Sequence, residues 1–195
     1  MPPLLSDATH DRSADGVPRG PSVATVATPP AASPAASLAA SLAAVAHRWL
    51  PRVEYRQSSR WTALLPADDV ARLLDPATAA DVAGAQVWLL TWLPGQGTPL
   101  HDHGGSAGAF AVVRGALTED TVGGPAGAVR EVSAELPAGR VRPFGPHHVH
   151  RVTNRGTGAA VSVHAYTPGL RQMTTYALED GALLSTGTER AGIDW

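Results

Sequence analysis

The sequence contains no cysteine. That excludes disulfides and thiolate metal sites, and it fits a cytoplasmic protein, which is the expectation. A surplus of charge is lacking too. Fifteen basic and 17 acidic residues leave a net charge of −2 and a pI near 6.4. Without a basic footprint, nucleic acid is not expected as a partner. No apolar run reaches the roughly 18 residues that a membrane span needs, so no membrane partner is expected either. Large apolar residues are scarce over residues 1–36, where Pro, Ala, Ser and Gly dominate and only Leu4 and Leu5 stand out. Such a segment buries too little surface to offset its ordering entropy, and it reads as a disordered tail. No basic segment precedes an apolar core, so a signal peptide is not expected. His10 in this tail reads as incidental. Residues 37–195 suffice for one domain with a substantial core.

Histidine is what the chain does have, and its placement is uneven. Five of the eight histidines fall in two short stretches. The first is Gly95–Gly115, GQGTPLHDHGGSAGAFAVVRG. His101 and His103 stand two apart, and side chains alternate faces along a strand, so both imidazoles project to one side. Two neutral imidazoles aimed at one point are half of a metal site. The flanks read as strands: Val87–Leu93 is apolar and rich in β-formers, as is Phe110–Val113. Pro94, Gly95 and Gly97 break the chain before the histidines, and Gly104–Gly105 break it after them. A lone pair of this kind is as often two incidental histidines on a half-exposed strand. The second stretch, Pro143 to Asn154 (PFGPHHVHRVTN), moves the balance toward metal. There His148 and His150 share a face, while His147 points to the other.

The two stretches resemble the two motifs of the cupin superfamily. Gly95, His101, His103 and Gly115 fill the first motif, and His150 and Asn154, with Pro143 and Gly145 upstream, fill the second. Gly108 stands where the first motif has its glutamate. A cupin lacking that carboxylate has a three-histidine site, the pattern of the thiol dioxygenases. Ser162-Val-His164-Ala-Tyr166-Thr-Pro168 resembles the Ser-x-His-x-Tyr-x-Pro run of cysteine dioxygenases. The matched stretches cover residues 86–170.

The resemblance implies an all-β jelly-roll barrel, a double-stranded β-helix, with a short N-terminal helical segment. It implies Fe(II) held by His101, His103 and His150, with His148 as the competitor for the third place. Three positions on the metal stay open for a thiolate, an amine and O₂ as co-substrate. An anionic thiolate would supply the charge that the motif glutamate would have given, and the chain has no thiol of its own to compete with it. Tyr166 is the polar group expected above the metal. His164 shares its face and can bond its hydroxyl, and Ser162 can orient His164. A barrel-lining aromatic is the plainer reading of Tyr166. Some relatives cross-link a wall cysteine to this tyrosine; here that position falls at or near Gly108, and no cysteine exists to form the bond. An arginine near the start of an early strand grips the substrate carboxylate in this family, and Arg60 is the match. Arg52 and Arg56 are nearby competitors. Gln57 and Arg171 keep open a 3-mercaptopropionate enzyme. The tyrosine expected two residues before the arginine is Ser58. The resulting expectation is a monomeric L-cysteine dioxygenase acting on a small-molecule thiol. A zinc hydrolase or lyase and a non-enzymatic metal-dependent sensor are the alternatives from other classes.

The rest of the chain is read coarsely. Residues 37–50 carry Leu38, Leu42, Val45 and Trp49 as one helical stripe ended by Pro51, to pack outside the barrel with His47 near its C-terminus. Arg60 is expected to begin a short strand ending at Leu65. Residues 66–84 read as a surface insertion or a lid with a helical turn at Asp68–Leu74. Two strands should flank Gly123–Gly127, and Asn154–Gly158 should be a tight hairpin. Met173–Leu178 should be an outer strand, followed by a polar end with Trp195.

Overall fold

The structure, a computed structural model, describes residues 33–81, 84–125 and 127–190. Most of the tail expectation, and Trp195, lie outside these residues. Residues 33–36, expected in the tail, belong to the first helix instead. Ser33 caps it, its Oγ accepting from Ala36 N at 3.2 Å, and Pro34 sits in the first turn, where a missing N–H costs nothing. This helix, α1 (Pro34–Ala44), starts before residue 37 and stops short of residue 50. Two 3₁₀ turns follow, at Ala46–Arg48 and Leu50–Arg52. They fold Trp49 back so that its Nε1 donates to the Leu42 carbonyl at 2.9 Å, satisfying one of the oxygens that a helix end leaves open. His47 is exposed in the first of these turns rather than in the helix. Helices α2 (Ala67–Leu73) and α3 (Pro76–Asp81) follow. Val70 and Leu73 are buried in the same cluster as α1, and Arg48 Nη1 donates to Leu73 O at 2.8 Å. The insertion is thereby packed onto the helical layer.

The described strands are β1 (Thr62–Leu65), β2 (Gln86–Trp92), β3 (Leu100–His101), β4 (Ala107–Arg114), β5 (Ala116–Gly123), β6 (Arg130–Pro137), β7 (Val141–Phe144), β8 (His150–Thr153), β9 (Ala160–Thr167), β10 (Gln172–Glu179) and β11 (Ala182–Arg190). They form two antiparallel sheets, ordered β1-β2-β9-β4-β7 and β11-β10-β3-β8-β5-β6. This is the cupin double-sheet barrel.

Parity sorts the first sheet. Val87, Leu89, Ala109, Ala111, Val161 and Val163 face the cluster shared with α1. Their alternates Trp88, Leu90, Trp92, Phe110, Val112 and Tyr166 belong to the cluster between the sheets. Both faces of β2, β4 and β9 are therefore buried, which is why these strands are almost continuously apolar. The small side chains at Ala109 and Ala111 meet the helix, and the large ones fill the barrel.

Two expectations are corrected by the topology. Asn154–Gly158 is no hairpin, because β8 and β9 lie in different sheets. The segment is a crossing held by Asn154, whose Nδ2 donates to Trp92 O and to Gly158 O, both at 2.8 Å. The strand after Tyr166 is not an outer one either. β10 lies between β3 and β11, and the polar stretch from Ala182 to Arg190 is the edge. An edge strand with solvent on its flank has no need of apolar alternation, so its sequence carries little strand signal.

Candidate metal centre and cavity

Antiparallel pairing of β3 with β8 sets His101 directly opposite His150. His103 follows two residues later, on the same side of the chain. The three rings lie 4.8–5.0 Å apart by centroid, and their ligand-capable nitrogens fall within 4.8 Å of one another. All three are buried. Asp102, pointing away between them, ties this loop to β10. Its Oδ1 accepts from Thr174 N and Gly104 N at 3.0 Å, and its Oδ2 accepts from the Tyr176 hydroxyl at 2.8 Å.

The residues fit a metal ion. His103 is fully buried with no partner for either ring nitrogen among the described residues. Burying such a group without a hydrogen bond costs on the order of 1–3 kcal/mol, which a metal bond would reverse. Nδ1 of His101 lies 3.0 Å from the Pro99 carbonyl, and Nδ1 of His150 lies 2.8 Å from Glu119 Oε1. An acceptor on Nδ1 fixes the proton there, leaving Nε2 as a lone pair. Burial holds all three imidazoles neutral, His101 down to about 3 and His103 well below its usual range; neighbouring histidines add to the effect, and at His150 the hydrogen bond to Glu119 opposes it. Neutral imidazole is the form that binds metal.

His148 is buried but does not join the three. Its Nε2 lies 3.0 Å from the same Glu119 Oε1, and Arg142 Nε donates to Glu119 Oε2. Burial would raise the Glu119 carboxyl; hydrogen bonds from His148 and His150 outweigh it and hold the group well below the usual carboxylate range. Glu119 is the functional candidate that sequence reasoning missed. Its signal was an acidic pair, Glu119-Asp120, inside a run of β-formers. Both acids are buried, which no alternation rule foretells. His147 is exposed, in the turn before β8.

Beside the histidines lies a cavity of about 40 Å³, lined among others by Arg60, Trp92, His101, His150, His164 and Tyr166. One water needs roughly 10–15 Å³ on this scale, so the space suits a molecule of a few heavy atoms. Arg60 stands two residues before β1 rather than at its start. Its guanidinium carbon lies 4.9 Å from the centre of the Trp92 ring. No hydrogen bond or ion pair holds this guanidinium among the described residues. Burial lowers its pKa, opposed by Tyr166 and Glu189. Arg171, which kept open a 3-mercaptopropionate enzyme, is exposed and does not line the cavity. Arg56 pairs with Glu54 at 2.8 Å, and Arg52 is exposed. Gln57 and Ser58 line a wider, polar space outside, which shares Arg60 with the cavity.

Ser162, His164 and Tyr166 form one row on the inner face of β9. Ser162 Oγ lies 2.9 Å from His164 Nε2 and accepts from Trp92 Nε1 at 2.9 Å. The expected bond from His164 to the Tyr166 hydroxyl is not made. The two rings lie side by side, 6.4 Å apart and 26° from parallel, as neighbours on one strand face do. Phe110 stacks on His164 from the adjacent strand at 5.0 Å. Burial raises the Tyr166 phenol, opposed by Arg60, so it stays protonated as a donor.

Gly108 sits across from Phe144 and Tyr166 in register. A Cβ there would lie 2.5 Å from Phe144 Cζ and 2.7 Å from the Ala165 carbonyl oxygen. The Phe144 ring thus fills the space of the motif glutamate, and it stacks on His103 at 4.4 Å and 20°.

The barrel and its three converging histidines define a cupin with a candidate metal centre. Residues 79–179 match the family model described as cysteine dioxygenase type I, and the chain belongs to that family of dioxygenases. Among curated proteins none matches. Solved structures similar to it include oxalate oxidase in complex with the substrate analogue glycolate, 16% identical over 57% of this chain and 52% of that one, with a TM-score of 0.43. A protein from Thermus thermophilus is 20% identical over 62% of this chain and 94% of that one, with a TM-score of 0.44. Oxalate decarboxylase from Bacillus subtilis is 17% identical over 66% and 30%, with a TM-score of 0.47. The chain spans about half the length of the oxalate oxidase, 52%.

Proposed function

We propose that the protein is an Fe(II)-dependent thiol dioxygenase that converts L-cysteine and O₂ to cysteine sulfinic acid, both oxygen atoms going to the sulfur. The observation that carries this reading is the pairing, in one small cavity, of two of the three histidines with a guanidinium that no hydrogen bond or ion pair holds among the described residues. His101, His103 and His150 would hold the iron, which bound there supplies open positions at which a thiolate and dioxygen meet. Imidazole donors suit iron among other first-row metals, and the dioxygenase family favours iron among them. Arg60 binds the substrate carboxylate through its planar fork and stays charged throughout. That anchor points the thiol end of a three-carbon acid at the histidines. Orientation of this kind replaces a bimolecular encounter. Tyr166 offers a neutral hydroxyl to the oxygens beside it, and the Trp92–Ser162–His164 chain fixes the ring next to it. Trp88, Leu90 and Met173 line the same cavity and make part of its wall apolar.

A second substrate, 3-mercaptopropionate, is favoured by one observation. No carboxylate lines the cavity among the described residues, so a free ammonium has no acidic partner there.

Oxygen uptake by the Fe(II)-loaded protein, with each thiol separately, tests both. Uptake with L-cysteine, with sulfinate formed in step, is the expected result. Uptake with 3-mercaptopropionate alone would replace the substrate and keep the site. No uptake with either, despite bound iron, would discard the reading.

A further inference from the structure

The barrel has lost the cupin carboxylate at Gly108, yet a buried carboxylate still serves the histidine cluster. We propose that Glu119 is a positioning residue that orients His150, presenting its bare Nε2 to the metal site from one layer further out. The inference rests on the reading of His101, His103 and His150 as metal ligands.

Three observations carry it. Glu119 is 1% exposed, on β5 beside β8, with Oε1 at 2.8 Å from His150 Nδ1. An ionised carboxylate can only accept, so the imidazole must donate, and its other nitrogen is left without a proton. The carboxylate is itself held on two further sides. His148 reaches Oε1 at 3.0 Å while stacked on Phe144 at 5.6 Å and 17°, and Arg142 holds Oε2 from β7. It cannot swing away without breaking three contacts. Finally, the three histidines differ in support. His101 leans on the neutral Pro99 carbonyl and His103 on nothing among the described residues, so His150 alone has an anionic partner. A carboxylate on Nδ1 makes the opposite nitrogen a better donor to metal.

Glu119, His148 and His150 also converge closely enough to suggest a second cation site. Arg142 argues against it, since its guanidinium already places a positive charge on that carboxylate. His150 would also have to give up its Nδ1 proton.

The test is Co(II) binding by the full chain, read from the visible spectrum under chelator competition, for wild type, Glu119→Gln and Arg142→Met. Glu119→Gln should weaken binding by about 10- to 100-fold and shift the Co(II) absorption bands. Arg142→Met, which leaves the contact to His150, should weaken binding clearly less than Glu119→Gln does. Unchanged affinity in Glu119→Gln, or an equal loss in Arg142→Met, would overturn the proposal. A wild-type chain that binds no Co(II) would instead remove the metal site on which it rests. Should Glu119→Gln fail to fold, nitrogen-15 shifts of the metal-free wild type give an independent answer. His150 protonated at Nδ1 and bare at Nε2 is the expected tautomer; the reverse tautomer would overturn the proposal.

Discussion

On the proposed reading His101 and Arg60 carry separable duties, one on the metal and one on the substrate, and single substitutions should separate them. His101→Ala removes one of three converging nitrogens. It should abolish tight iron binding, checked as iron per chain after gel filtration, while the fold survives; one iron retained per chain would count against the site. Arg60→Ala leaves the histidines untouched. On the proposed reading it removes a charge-assisted bidentate contact worth on the order of 1.5–3 kcal/mol, so the KM for cysteine should rise roughly 10- to 150-fold. An unchanged KM would move the carboxylate grip elsewhere. Most of these residues were legible in the sequence, because alternation along a strand turns a two-residue spacing into a shared face. Glu119 was not. Its partners come from β7 and β8, and which carboxylate of the Glu119-Asp120 pair meets a histidine depends on pairing across strands.

At the scale of elements, the meeting of β4, β7 and β9 decides the shape of the site. Gly108, Phe144 and Tyr166 share one rung, and the absent side chain of the first makes room for the ring of the second. Gly108→Ala should therefore overpack the rung, because the backbone oxygen of Ala165 cannot give way as a side chain could. A cost of about 1–3 kcal/mol is expected. For a chain of this size that is a fall in Tm of roughly 2–4 °C per kcal/mol, readable by calorimetry. A Tm equal to wild type would mean that the Phe144 ring moves freely. The residue identity at Gly108 was visible in the sequence as a departure from the motif, but its occupant was not. Phe144 lies far along the chain and arrives only when β7 pairs with β4.

The whole molecule buries several ionisable groups on its two sheets, and its pH response should follow. His101, His103, His150 and His164 are all held below the ordinary value of 6.5 by burial, His101 to about 3. As pH falls from 6.5 toward 3, the unfolded chain takes up protons that the native state refuses. Native stability is then lost at up to about 1.4 kcal/mol per pH unit for each such histidine, until the pH reaches that residue's own folded value. Glu119, depressed below 4.5, adds to the loss at the acid end. The metal-free protein should show a Tm that drops steadily from pH 7 to pH 5. A flat profile would mean that these histidines are not held neutral. No helix among the described residues is long and apolar enough to cross a membrane.

Sequence alone determined the two histidine stretches and the Ser162–His164–Tyr166 row, and the resemblance of its motifs implied the barrel class. The stretches and the row are written in local spacing, and the pleat of a strand converts spacing into direction without further information. The tertiary structure decided where strands belong and what the side chains meet. It sent β8 and β9 to different sheets, put β10 inside and β11 at the edge, and turned His164 toward Ser162 instead of Tyr166. It also brought Glu119 and Arg142 to the histidines. Those outcomes depend on contacts between segments far apart in the chain. Such contacts form only when the sheets close, so no local pattern records them.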